Sequence, residues 1–101
     1  MDIQINTQRF TADQKLTDHI NEKIDKLNTF HDSIVSVEVF LKLDNVVHQI
    51  KDKVAEIKVQ IPGHTFFIKR ESKVFEESFD AALKSMITQI KKHKEKNFTY
   101  S

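Results

Sequence analysis

A chain of 101 residues, 39% hydrophobic and 31% charged, suits one compact domain with a real core, argues against disorder, and leaves little room for a second domain. The absence of Cys excludes disulfides and thiolate metal sites and fits a reducing compartment. No stretch approaches the roughly 20 apolar residues that span a bilayer, and Met1-Asp2-Ile3-Gln4-Ile5 has neither a basic leader nor an apolar run, so a cytoplasmic protein is expected.

The formal net charge is only +1, but it is unevenly spread. Residues 1–50 carry five Lys/Arg against eight Asp/Glu, and residues 51–101 carry eleven against seven. The segment from Lys84 onward holds five Lys and one acid. The chain is polarised without being a polycation.

Ile3 and Ile5 alternate with polar neighbours and predict a short first strand. Thr11-Ala12-Asp13-Gln14 has the form of a capping box, with Thr11 as the cap. Leu16, Ile20, Ile24, Leu27 and Phe30 then recur at spacings of four and three, one stripe of a helix over about 12–30. From Ile34 to Leu43 the period changes to two, with Val35, Val37, Val39, Leu41 and Leu43 alternating with Ser36, Glu38, Phe40 and Lys42. That is the clearest strand in the chain. A third strand over about 54–61 carries Ala55, Ile57, Val59 and Ile61 on one face. The stretch Asp44–Asp52 between them reads as a loop, with Val46, Val47 and Ile50 unexplained. Pro62-Gly63, the only Pro and the only Gly, marks a hairpin turn into a fourth strand over His64–Lys69. Alternation does not decide whether Phe66 or Phe67 faces inward. The last helix is predicted over about 73–96, with Ser72 as its cap and Phe75, Phe79, Leu83, Met86 and Ile90 as its stripe.

The order is β-α-β-β-β-α, an α+β fold. A crossover places the first strand parallel beside the second, and the rest is an antiparallel meander. A four-stranded sheet with both helices on one face buries every apolar stripe. Without its first strand the order is that of double-stranded-RNA-binding domains, a likeness of fold that does not establish function.

Little in the chain points to catalysis or to a cofactor. The five His residues lack metal-ligand spacing, a single Gly excludes phosphate-cradling loops, and no Ser occupies a nucleophile elbow. Glu76-Glu77 complements the positive end of the last helix. The expectation is a protein that is not an enzyme and holds no metal.

The signal lies in the cations. At about 100° per residue, Lys15, His19, Lys23 and Lys26 follow one flank of the first helix beside its buried stripe, with Asp18, Glu22 and Asp25 further round. On the last helix, Lys84 precedes the run Lys91-Lys92-His93-Lys94-Glu95-Lys96 by two turns. Lys near a helix C-terminus stabilises the dipole by roughly 0.3–1 kcal/mol; it also contacts phosphate as a flexible point charge. Lys69 and Arg70 would extend such a surface.

Phe10-Thr11-Ala12-Asp13-Gln14-Lys15-Leu16, Glu22-Lys23-Ile24-Asp25-Lys26-Leu27, Phe75-Glu76-Glu77-Ser78-Phe79-Asp80 and Gln89-Ile90-Lys91-Lys92-His93-Lys94-Glu95-Lys96 together resemble the ribosome hibernation-promoting factor and ribosome-associated translation inhibitor family, in its short form. The resemblance covers nearly the whole chain in order. It implies a protein that binds the small ribosomal subunit, occludes the mRNA and tRNA channel, and blocks initiation under stress or in stationary phase. It implies rRNA contact by Lys23 and Lys26 on the first helix and by Lys92 and Lys94 at the end of the last. With Lys84 and Lys91 from the charge pattern, these form the candidate rRNA-binding set. One departure concerns Ser85-Met86-Ile87-Thr88-Gln89, where the family often has two cations in a "KLxRQ" segment and where Lys84 is a partial substitute. Two other readings are a general double-stranded-RNA-binding module, which calls for a stronger cationic stripe, and a protein-interaction adaptor using the open sheet face around Phe40.

Overall fold

The computed structural model describes the backbone of residues 1–47 and 50–99 and the side chains of residues 1–43 and 52–95. Strand β1 is Asp2–Gln8, helix α1 is Gln14–Asp25, continued by a 3-10 turn over Lys26–Thr29, and strands β2, β3 and β4 are Ser36–Val47, Ile50–Ile61 and His64–Ser72. Helix α2 is Phe75–Thr99. The sheet order is β1-β2-β3-β4, with β1 parallel to β2 and the other pairs antiparallel. This is the α+β architecture that the periodicity predicts.

Register and pleat explain the core. Ile3 pairs with Val37 and Ile5 with Val39, Val39 pairs with Ile57, and Ile57 pairs with Ile68. Side chains two apart share a face, so these residues form one apolar surface. Leu16, Ile20, Ile24 and Leu27 from the first helical segment, and Phe75, Phe79, Ala82, Leu83, Met86 and Ile90 from α2, pack into the same cluster. The orientation of β4 is settled by register. Phe66 pairs with Val59 and is buried, whereas Phe67 pairs with Lys58 on the open face and is 55% exposed.

Three local expectations are corrected. Asp13, not Thr11, caps α1: its carboxylate accepts the Leu16 amide at 2.8 Å, and Gln14 donates instead to Asp18 at 2.7 Å. Asp is as good a cap as Thr, and starting there still turns Leu16 into the core. The predicted helix over 12–30 is also two pieces, because the chain tightens to 3-10 geometry at Lys26 and keeps Leu27 buried. Finally, most of the loop expected over 44–52 is strand, with β2 running to Val47 and β3 starting at Ile50. The pairing slips between Asp44 and Val46, a bulge that breaks the period of two and so hides the strand from sequence reading. His48 and Gln49 lie outside the described residues.

The start of α2 is tied to the sheet. Ser72 accepts the Val74 amide at 3.2 Å and shares a hydrogen bond with Ser78 at 2.9 Å. Buried Ser78 donates to the Lys53 carbonyl of β3. These bonds set where α2 begins on the sheet, and hence which of its residues face α1.

Candidate nucleic-acid interface

The two helices lie side by side and run in the same direction. Phe10, ahead of α1, stacks on Phe75 at a centroid distance of 4.3 Å. One step on, His19 Nε2 lies 2.8 Å from the Asp80 carboxylate. At the far end, Lys91 Nζ sits 4.9 Å from the centre of the Phe30 ring, over its face. Contacts that advance in step along both segments require parallel helices. Their C-terminal ends, each with unsatisfied carbonyls and negative dipole charge, therefore lie at one end of the molecule. Cations are stabilised at a helix C-terminus, which suits Lys23 in the last turn of α1 and Lys26 at its C-cap. Lys91, by contrast, lies more than two turns before the end of α2 and is held by the Phe30 ring.

The seam between the helices opens into a groove of about 370 Å³ lined by Lys23, Lys26, Phe30, Asp80, Leu83, Lys84 and Ile87. Its floor is apolar and its rim carries three ammonium groups and one carboxylate. Lys23 is half-buried and Lys26 and Lys84 are exposed. The aliphatic stem of Lys23 covers the floor while its charge reaches solvent. Among the described residues no carboxylate lies within 4 Å of Lys23, Lys26 or Lys84. Their charges are thus not spent internally. The Lys91–Phe30 contact, worth about 0.5–1 kcal/mol at an exposed site, holds a fourth cation against the same seam.

Of the six lysines in the candidate set, the structure brings Lys23, Lys26, Lys84 and Lys91 together directly. Lys92 and Lys94 are both exposed. Projected at about 100° per residue from the buried direction of Phe79, Lys94 falls on the groove side of α2. Lys92 falls on the opposite flank, with Ser85 and Gln89. That flank has a shallower groove of about 240 Å³ lined by Ile68, Arg70, Lys84, Ser85, Thr88 and Gln89. There the Arg70 guanidinium donates to Ser85 Oγ at 3.0 Å and to the Lys69 carbonyl at 2.8 Å.

Two histidines pack against each other at the end of α2. His93 stacks on His64 at 4.6 Å and meets the edge of Phe66 at 5.4 Å. This clasps the end of α2 to the β3–β4 hairpin and so fixes the rotation of its terminal lysines. The cations stand out in the sequence, but the surface they share does not: Phe30 reads there only as the end of a buried stripe, and nothing along the chain joins it to Asp80 and Ile87.

A four-stranded mixed sheet with two parallel helices on one face and a cationic seam between them defines a small α+β class. Solved structures share the fold: a ribosomal subunit interface protein from Coxiella burnetii at a TM-score of 0.83, covering 94% of this chain and 99% of that one at 21% identity. The N-terminal domain of Thermus thermophilus Protein Y gives 0.77, with 92% and 99% covered and 21% identity. Residues 3–97 match the family described as Sigma 54 modulation protein / S30EA ribosomal protein. Two curated Pseudomonas putida proteins, each named ribosome hibernation promoting factor, are 32% identical over 96 residues, covering 95% of this chain and 89% of theirs. This chain belongs to that family.

Proposed function

We propose that this protein is a ribosome-associated hibernation factor that docks its helical layer on small-subunit rRNA in the cytoplasm and silences translation by occupying the mRNA and tRNA channel. The carrying observation is the seam at which Lys23, Lys26, Lys84 and Lys91 converge from two helices. The names of the Pseudomonas relatives support the hibernation role. The mechanism is steric and involves no turnover: the cations orient the domain against phosphate, and the rigid body excludes competing ligands. With a net charge of +1, binding depends on shape as much as on charge, which favours a folded rRNA pocket over any generic duplex. Sedimentation with purified small subunits, large subunits and whole ribosomes at low and moderate salt tests the reading. Co-migration with small subunits and ribosomes, together with loss of mRNA-dependent initiator tRNA binding, is expected. Equal affinity for a naked RNA duplex would instead favour a general duplex-binding module.

A further inference from the structure

The two grooves flanking α2 share one residue. Lys84 lines both the seam with α1 and the shallower groove toward β4. A polyanion held by Lys23 and Lys26 that continues past Lys84 therefore crosses α2 and enters the second groove. What it meets there is Arg70.

That arginine is not a loose surface cation. It comes from β4, and its guanidinium is fixed by hydrogen bonds to Ser85 Oγ and to the Lys69 carbonyl. A guanidinium carries five N–H donors, so these two bonds leave three for a ligand, in a planar fork matched to phosphate. Fixing the side chain beforehand reduces the ordering cost of binding. The helix itself offers no cation on the turn Ser85–Gln89. The charge arrives from the neighbouring strand, where no pattern along the helix would reveal it.

The geometry points to a second phosphate-binding site made by Arg70, positioned by Ser85, so that the bound RNA strand crosses α2 at Lys84 instead of ending at the α1–α2 seam. This site rests on the proposed rRNA-binding reading for its partner, but its chemistry is testable alone. Each lost phosphate contact lowers the salt dependence of log K by about 0.7–0.9 and weakens binding several-fold, on the order of fivefold, at moderate salt.

The test pairs two measurements. In ribosome co-sedimentation over a salt series, Arg70→Gln should weaken binding about fivefold and flatten the salt slope by nearly one. Arg70→Lys should recover only part of this, because an ammonium lacks the fork. Ser85→Ala should lower affinity with the charge intact. In parallel, isotope-labelled protein titrated with a short single-stranded RNA should show the Arg70 Nε–H resonance moving together with the Lys84 and Lys23 amides. An unmoved Arg70 resonance and an unchanged salt slope for Arg70→Gln, alongside lost binding for Lys23 variants, would overturn the second site and leave the hibernation reading standing. Response of Arg70 to RNA without any ribosome co-sedimentation would do the reverse.

Discussion

Reversing the two seam lysines of α1 separates binding from folding most cleanly. Lys23 and Lys26 line the groove, and among the described residues neither has a carboxylate within 4 Å. The double change Lys23→Glu and Lys26→Glu therefore breaks no internal ion pair. It does place two negative charges near the C-terminal end of α1, where Lys23 occupies the last turn. At the low end of the dipole range, about 0.3–0.5 kcal/mol per site, the fold should lose about 1 kcal/mol. The binding loss is larger. Two phosphate contacts at about 0.9 each contribute about 1.8 to the salt slope, equivalent to some 60-fold in affinity at 0.1 M salt. That is about 2.5 kcal/mol. Urea denaturation measures the first quantity and sedimentation with small subunits over 50–200 mM salt the second. A variant that unfolds within about 1 kcal/mol of the parent yet sediments with unchanged affinity and slope would refute the reasoning.

Other expectations follow from particular contacts. Phe79 is fully buried between the helices and the sheet, so Phe79→Ala should cost about 3–5 kcal/mol in denaturant unfolding. Asp13→Ala removes the α1 cap and should cost about 1 kcal/mol, with Asp13→Asn nearly neutral. Gly63 has φ +81° and open space where a Cβ would stand. Gly63→Ala should therefore cost only the conformational penalty, about 1 kcal/mol, readable as a shift in thermal midpoint.

The fold was legible wherever one face of an element is buried. Period two in β2 and β3, stripes at three and four in the helices, and the Pro62-Gly63 turn place every element in its order. Boundaries were lost where local chemistry offers near-equal choices, as between Thr11 and Asp13 for the cap. They were also lost where a bulge between Asp44 and Val46 interrupts alternation and makes strand look like loop. Phe66 and Phe67 could not be told apart because both are strong strand formers; only pairing with Val59 or Lys58 separates them. The candidate site was half visible. Lysines near helix ends stand out in a sequence, but their convergence depends on the two helices being parallel, a consequence of topology. The meeting of Arg70 with Ser85 joins residues fifteen apart on different elements, and no periodicity within either one encodes it.

The central claim is that the helical layer, not the open sheet face, lies against rRNA. Because the chain has no Cys, single cysteines carrying a hydroxyl-radical source can be placed at will. Probes at Lys26, exposed on the rim of the seam, and at Thr88, exposed in the groove toward β4, should cut small-subunit rRNA strongly, while a probe at Phe67 on the open face should cut weakly. Strong cleavage from position 67 with none from positions 26 or 88 would contradict the account.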